Sequence, residues 1–353
     1  MFRSNNSNTP YRGGKRKGLP LVSFALAVSF LGFIIYALIY MLSDTAAAPD
    51  QDNIPTPPVI ETPAPQEDES TVTAATPEPQ DSNNNDEEED AYVERFTTIQ
   101  MEISDIYNGY LVLVNQDHAY EIPDDLDLAR ISDVGSSAIR LQLQGFQLLR
   151  SVIEPLDEMM SSYLYEIGDT TVTVIAAWRS YETQRTMRER HGTNASLPGH
   201  SEHHTGLAFD FGIFIGSERS MFTGTGNTAW FRGFSHNYGF ILRYPADKTE
   251  ITNVTHEPWH FRYVGLPHST VMFINNWCLE EYIELLRNHT ANNPLVAEVD
   301  GVAYQIFFTS DTEVQVPIDH DFEISGNNVD GFIVTAYIPD EFDALLVDAM
   351  EGG

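Results

Sequence analysis

From Gly109 onward, the pattern of apolar and polar positions predicts strands and helices that follow one another in an irregular order. Short runs of β-branched and aliphatic residues, which are typical of strands, lie at 109–115, 171–177, 207–215 and 255–264. Apolar residues recur at helical spacing over 142–165, where Pro155 marks a helix start or a kink. Such an order favours an α+β fold over a doubly wound parallel sheet. We therefore predict a central, mainly antiparallel sheet that is flanked by helices.

The N-terminal region contains one long apolar stretch. Residues 19–42 carry no charge and reach the ~20 residues that a helix needs to cross a bilayer. Basic residues precede this stretch: Arg3, Arg12, Lys15, Arg16 and Lys17. Since basic residues prefer the cytoplasmic side, we predict a membrane helix with a cytoplasmic tail at 1–18 and everything after Ser43 outside the cell. The alternative is a signal peptide that is cleaved near Ala46-Ala47-Ala48.

Acidic residues and prolines dominate the segment that follows. Residues 44–90 contain 14 Asp or Glu and 8 Pro, with no Lys or Arg. A segment of this composition cannot bury enough apolar surface to offset the entropy of ordering, so we predict a disordered linker at 43–90. The whole chain has 19 basic and 52 acidic residues, a net charge of -33. Nucleic acid is excluded as a partner because phosphate binding needs a basic surface.

Two short motifs supply a ligand set for a divalent metal ion, with a carboxylate beside it. They are Ser201–Asp210 and Glu257–His260. Catalytic zinc takes three side chains from His, Asp or Glu and keeps one position for water. His203, Asp210 and His260 would fill those places, and Glu257 would act as the base that takes a proton from water. From the residues alone, His200 or His204 could replace His203 as a ligand.

The spacing of Glu257 and His260 raises a geometric difficulty. Residues three apart in an ideal strand point to opposite faces of the sheet, so these two side chains would diverge. Pro258 lies between them and marks a strand start, an edge or a bulge, because proline cannot donate to a ladder. An irregularity at Pro258 would bring Glu257 back toward the metal site.

The two motifs resemble the signature of the VanY-type D-alanyl-D-alanine carboxypeptidases, Ser-x-His-x-x-Gly-x-Ala-x-Asp followed downstream by Glu-x-Trp-His. Every fixed position of that signature is present. The resemblance extends to Trp178–Gln184, which is similar to the family's Tyr-Arg-Ser segment, and to Tyr238–Pro245 between the two motifs. It covers roughly Tyr107 to His268. Trp178 replaces a tyrosine that is common in the family, so one aromatic wall of the substrate pocket differs.

The resemblance implies a zinc enzyme in which His203, Asp210 and His260 bind Zn²⁺ and Glu257 is the general base. It implies that Arg179, Gln184 and Ser201 hold the end of the substrate, because the guanidinium of Arg179 offers a planar fork suited to a carboxylate. Arg179 would also stabilise the oxyanion that forms at the peptide carbonyl. Two structural alternatives stay open. In the first, Arg179 forms an ion pair that stabilises the fold, and in the second, Asp210 only caps or orients Arg179.

The function implied is that of a membrane-anchored D-alanyl-D-alanine carboxypeptidase, which hydrolyses the C-terminal D-Ala from peptidoglycan stem peptides. The predicted localisation is the cell membrane, with a single span and an extracytoplasmic catalytic domain. We expect no obligate protein partner. The alternatives are an L,D-carboxypeptidase that acts on tetrapeptide stems, and a non-catalytic peptidoglycan-binding module that retains a structural metal.

The C-terminal part has a pattern of its own and lies outside the resemblance. Strand-like runs at 302–308, 313–316 and 331–338 are separated by turn signals. We predict a small β-rich extension at 291–353, which packs on the rest, binds wall polymer or pairs with a partner. The catalytic domain would then span 91–290, with the zinc site on its sheet. The one cysteine, Cys278, lies in an apolar run and is predicted to be a buried thiol.

Overall fold

The computed structural model describes residues 11–13, 96–318 and 320–338. Its strands are β1 Tyr11–Gly13, β2 Phe96–Gln100, β3 Leu128–Arg130, β4 Gln147–Leu149, β5 Val172–Ala176, β6 Ala208–Ile215, β7 Glu218–Met221, β8 Phe240–Leu242, β9 His260–Tyr263, β10 Leu295–Val299, β11 Val302–Thr309, β12 Glu313–Pro317, β13 Phe322–Gly326 and β14 Phe332–Ile338. Its α-helices are α1 Ile131–Val134, α2 Arg150–Ile167, α3 Tyr181–His191, α4 Ala229–Phe234, α5 Thr249–Thr252, α6 His268–Asn275 and α7 Leu279–Leu286.

Two five-stranded sheets organise the described residues. The first has the order β5-β6-β9-β8, with β7 also paired to β6, and the second has the order β1-β13-β14-β11-β10. The strand pairs that form these sheets are antiparallel. The predicted fold class is therefore confirmed: an α+β fold with an antiparallel central sheet, flanking helices and a β-rich C-terminal region.

Helix α2 packs its apolar face against the first sheet. Its buried side chains recur every three or four residues, and they are Val152, Ile153, Leu156, Met159, Met160 and Tyr163. Gly168, with a left-handed φ of 71°, ends the helix through a bond from its N–H to the carbonyl of Leu164. The helix begins later than 142, because residues 147–149 pair with 128–130 as β4, and Pro155 lies inside the helix. The apolar face of α2 therefore packs in one buried cluster with the strands that carry the two motifs.

The predicted strand at 109–115 is wrong, although the segment is buried. Leu111, Val112, Leu113 and Val114 are all 5% exposed or less, yet they form no ladder. Long-range partners replace the ladder: the N–H of Leu111 donates to Ser325 Oγ (2.9 Å), and the carbonyl of Leu113 accepts from Asn328 Nδ2 (2.7 Å). Backbone N–H and carbonyl groups of this segment therefore bond to side chains far away in sequence, and a local sequence pattern cannot reveal such partners.

The C-terminal sheet shares an apolar core with the preceding residues. One buried cluster joins Leu111, Ile241 and Leu279 with Tyr304 and Ile306 of β11. The hairpin between β10 and β11 turns at Asp300 and Gly301, whose φ values of 54° and 73° are both left-handed. These contacts show that the extension packs on the preceding residues, which is one of the three roles considered for it. The boundary at 290 stays a prediction.

Cys278 is buried, as predicted. It is 3% exposed, and burial raises the pKa of its thiol to about 12. A thiol that stays protonated at neutral pH is a poor nucleophile.

The predicted membrane helix at 19–42 and the predicted linker at 43–90 lie outside the described residues. Among the helices at 96–318 and 320–338, none is both long and apolar enough to cross a bilayer. The longest of them, α2, has 18 residues and exposes Glu154 and Glu158. The predicted localisation, a single-pass protein of the cell membrane with an extracytoplasmic catalytic domain, is contradicted on this point: the described residues supply no membrane span.

Replacing Ser325 with Ala should lower the free energy of unfolding by about 1–3 kcal/mol, because the buried N–H of Leu111 loses its acceptor. Urea unfolding measures this change, and Ser310→Ala, which alters an exposed serine nearby, is the matched control. Equal midpoints for the two variants would show that the 109–115 segment does not depend on Ser325.

Candidate metal and catalytic site

The pairing of β6 with β9 brings two of the predicted ligands together. Asp210 lies directly opposite His260 in the antiparallel register. His203 comes from the 3₁₀ turn Glu202–Thr205, which ends at Gly206 with a left-handed φ of 72°. A side chain at Gly206 would meet the backbone N of Leu149 at 3.1 Å, so the tight reversal into β6 requires glycine. His203 therefore reaches the same end of the sheet as the other two residues.

The three predicted ligands form one compact group. His203 Nε2 lies 3.4 Å from Asp210 Oδ1, and His260 Nδ1 lies 2.8 Å from the same oxygen. One donor atom from each residue falls within 4.8 Å of the others, a spacing that could hold a metal ion. Two imidazoles and a carboxylate are a donor set that suits zinc and leaves a position for water.

Hydrogen bonds on the far side of each ring decide which nitrogen faces the group. His203 Nδ1 donates to the carbonyl of Ala177 (2.8 Å), which leaves Nε2 with its lone pair toward Asp210. His260 Nε2 lies 3.3 Å from Oε2 of Glu202, which leaves Nδ1 toward Asp210. Both rings are held in the orientation that a metal ligand requires.

The two other histidines considered as ligands are engaged elsewhere. His204 uses both ring nitrogens on the backbone, accepting from the N–H of Gly199 (3.0 Å) and lying 2.7 Å from the carbonyl of Arg179 through Nδ1. His200 Nδ1 lies 2.9 Å from the carbonyl of Asn115. Of the three candidates, His203 is the one placed with Asp210 and His260.

Burial and neighbouring charges shift the pKa values of the three predicted ligands. Burial, together with the charge of Arg179, lowers the pKa of His203 to about 4, so this ring is neutral at pH 7. Burial opposes ionisation of Asp210, but His203 and His260 hold the pKa of its carboxyl well below the usual range. Burial also opposes charge on His260, yet its hydrogen bonds to Asp210 and Glu202 raise its pKa to about 9. A metal ion bound at Nδ1 would take the place of the proton there.

Glu257 lies just before β9, and this position resolves the geometric difficulty. Strand β9 begins only at His260, and the N–H of His260 donates to the carbonyl of Glu257 (3.1 Å) across a turn at Pro258 and Trp259. The two side chains therefore do not belong to one regular strand. Burial raises the pKa of Glu257, and the charges that act on its carboxylate include those of His260, Asp210 and Arg179. Glu257 therefore lies close enough to the ligand group to interact with its charges, and the raised pKa makes its carboxylate a better proton acceptor than an ordinary glutamate.

Arg179 lies beside the ligand group at the end of β5. Its guanidinium contacts Asp210 Oδ2 and Gln184 Oε1, both at 3.4 Å, and its side chain is 17% exposed. The contact with Asp210 is the ion pair that the structural alternatives describe. The Arg179 side chain stays partly exposed beside this contact.

Gln184 and Ser201 are more deeply buried than Arg179. Gln184 is 1% exposed and donates through Nε2 to the carbonyl of Ser196 (2.9 Å) while it accepts from Arg179. It lies on α3, whose N-cap Ser180 accepts from the N–H of Thr183. Ser201 is 5% exposed and begins the turn that carries His203. Gln184 therefore fixes the side chain of Arg179 and the backbone at Ser196.

Sequence reasoning missed the residue behind His260. Glu202 is 2% exposed and accepts from Arg243 Nε (2.7 Å) and Arg262 Nη1 (2.8 Å) in addition to its contact with His260. The one signal in the sequence was the position of Glu202 inside the predicted metal motif, next to His203. Its partners could not be read from sequence, since they lie 41 and 60 residues away.

The fold and this site define a class, a metal-dependent hydrolase built on an antiparallel sheet. A family model for the D-alanyl-D-alanine carboxypeptidase VanY matches residues 146–266. A D-alanyl-D-alanine carboxypeptidase of Enterococcus faecium is 34% identical over 247 residues, which are 66% of this chain and 76% of that protein. The chain belongs to the VanY family of D-alanyl-D-alanine carboxypeptidases.

Two further similarities agree with this assignment. The bifunctional D-Ala-D-Ala dipeptidase and carboxypeptidase VanXYC of Enterococcus gallinarum is 50% identical over 95 residues, which are 26% of this chain and 50% of that protein. The crystal structure of the vancomycin resistance D,D-dipeptidase VanXYg, in complex with a D-Ala-D-Ala phosphinate analog, matches with a TM-score of 0.62 and 30% identity. That match covers 69% of this chain and 99% of the other.

These findings confirm the predicted enzyme class, a D-alanyl-D-alanine carboxypeptidase. The described residues also contain the possible His-Asp-His metal site that the predicted cofactor, zinc, requires. The roles of the individual residues stay predictions.

Proposed function

We propose that the protein is a zinc-dependent D-alanyl-D-alanine carboxypeptidase that removes the C-terminal D-Ala from peptidoglycan stem peptides. The observation that carries this proposal is the group formed by His203, Asp210 and His260 with Glu257 beside it. Membership of the VanY family supports the substrate class. The structural relative VanXYg, which was solved with a D-Ala-D-Ala phosphinate analog, also supports it.

The ligand group would hold Zn²⁺ through His203 Nε2, a carboxylate oxygen of Asp210 and His260 Nδ1. When bound, the ion supplies Lewis acidity to the scissile carbonyl and lowers the pKa of water toward 7. Glu257 then takes a proton from the attacking water and delivers it to the nitrogen of the departing D-Ala. Burial of Glu257 favours this role, because it raises the pKa of the carboxyl group and so makes the carboxylate a stronger proton acceptor.

Arg179 is the group that we assign to the substrate's negative charges. Its planar guanidinium can accept a carboxylate as a fork, and the contact with Gln184 fixes the direction of that fork. Because it lies beside Asp210, it would also be close to the oxyanion that develops at the scissile carbonyl. Ser201, at the start of the same turn as His203, adds a hydroxyl to this end of the cleft. Gln184 then acts on the substrate mainly through Arg179.

A second candidate is an L,D-carboxypeptidase that acts on tetrapeptide stems with the same residues. The ligand group and Glu257 serve either bond equally well, so the family match is what favours the D,D reaction. A wall-binding module with a structural metal would not require a buried carboxylate of raised pKa beside the ligands, so Glu257 argues against it.

The full-length protein should release free D-Ala from a synthetic stem pentapeptide, faster than from the corresponding tetrapeptide. A chelator should abolish release and added zinc should restore it, because the proposed chemistry depends on the ion. Enzymatic detection of D-Ala measures the rate. Faster release from the tetrapeptide would select the L,D reaction, and no release from either peptide by the zinc-loaded protein would overturn the proposed function.

Replacing Glu257 with Gln should lower kcat by about 10²–10⁴-fold, because the proton acceptor is lost. The zinc content of this variant should match that of the unchanged protein, since Glu257 is not one of the three ligands. Glu250→Gln, which alters an exposed carboxylate seven residues earlier, is the matched control and should retain full activity. Near-normal turnover by Glu257→Gln would exclude its role as the base.

A further inference from the structure

A buried carboxylate lies directly behind the metal-facing ring of His260. The side chain of Glu202 is 0% exposed, and its Oε2 lies 3.3 Å from His260 Nε2. The other oxygen, Oε1, accepts from Arg243 Nε at 2.7 Å and from Arg262 Nη1 at 2.8 Å. Burying a charged group is costly unless it is paired, and here both oxygens of the carboxylate have donors.

The two arginines are themselves held in place. Arg243 donates to both carboxylate oxygens of Glu280, at 2.8 and 2.6 Å. Arg262 Nη2 donates to the carbonyls of Tyr110 (3.0 Å) and Val112 (2.8 Å). Both arginine side chains are fully buried, so neither has water as an alternative partner. Glu202 is therefore fixed from behind before any ion binds.

The contact with Glu202 determines which nitrogen of the His260 ring carries a proton and which one has a free lone pair. A carboxylate can only accept, so Nε2 must carry a proton when it bonds to Glu202. The lone pair that a metal needs is then available at Nδ1, the atom 2.8 Å from Asp210 Oδ1. A ring without this partner could turn over or adopt the other tautomer, and either change removes the lone pair from the site.

We propose that Glu202 is a positioning residue for zinc binding, which holds His260 in the orientation and tautomer that present Nδ1 to the ion, and that Arg243 and Arg262 hold Glu202. The inference rests on the proposed function only in assuming that the ligand group binds zinc. It assigns to Glu202 a role that differs from that of an ordinary buried ion pair, whose loss would lower stability without a specific effect on the metal.

Glu202→Gln tests this assignment because it keeps the volume and changes only the pattern of donors and acceptors. If the amide oxygen faces the arginines, the NH₂ group meets the N–H of His260, and if it is turned over, the NH₂ group meets the arginines. Zinc affinity, measured by competition with a chromophoric chelator, should fall by about 10–100-fold. The absorption spectrum of the Co²⁺-loaded protein should change as well, since it reports the geometry of the ligands.

The matched control is Glu280→Gln, which removes a carboxylate from the other side of Arg243 without touching His260. Both variants should unfold at lower denaturant concentration, but Glu280→Gln should retain the zinc affinity of the unchanged protein. Unaltered zinc affinity in Glu202→Gln, or an equal loss in both variants, would overturn the proposal in favour of a purely structural role.

If Glu202→Gln does not fold, Glu202→Asp replaces it, because the charge that pairs with the arginines stays while the shorter side chain withdraws from His260. This variant should fold and show the same loss of zinc affinity; folding with full affinity would overturn the proposal. These readouts do not involve peptide hydrolysis. Zinc-loaded unchanged protein that releases no D-Ala would refute the proposed function and leave the comparison of affinities intact.

Discussion

The rest of the site depends on one interaction, the pairing of the buried Glu202 carboxylate with the cationic groups around it. Its partners come from two places that are distant from it in sequence: Arg243 lies just after β8, and Arg262 and His260 both lie on β9. Removing one partner of such a group leaves an uncompensated charge in the interior, which costs about 3–5 kcal/mol. The pairing of β6 with β9 then sets Asp210 opposite His260. A rigid ligand group follows from these two constraints.

The same interactions extend from the site to the C-terminal sheet. Arg262 binds carbonyls of the 109–115 segment, and that segment is held in turn by Ser325 and Asn328. The apolar cluster that includes Leu111 and Ile306 reinforces the connection. The β-rich region is therefore part of the framework behind the proposed zinc ligands, a role that the resemblance to the family did not suggest because the region lies outside it.

The sequence predicted the features that depend on local pattern or on motif spacing. The α+β class and the grouping of His203, Asp210 and His260 belong to these. It could not predict features whose hydrogen bonds join distant residues. An apolar run such as 109–115 predicts a strand, but only the tertiary fold shows that side chains take the place of a ladder. Glu202 escaped notice for the same reason, since nothing near it in sequence pairs with its charge.

The position of the ion is the most direct test of this account. Anomalous diffraction from crystals of the zinc-loaded protein, recorded above and below the zinc absorption edge, locates it without reference to activity. The account predicts one strong peak at about 2.0–2.2 Å from His203 Nε2, an oxygen of Asp210 and His260 Nδ1. A peak coordinated by His204, by His260 Nε2 or by Glu202 would contradict it.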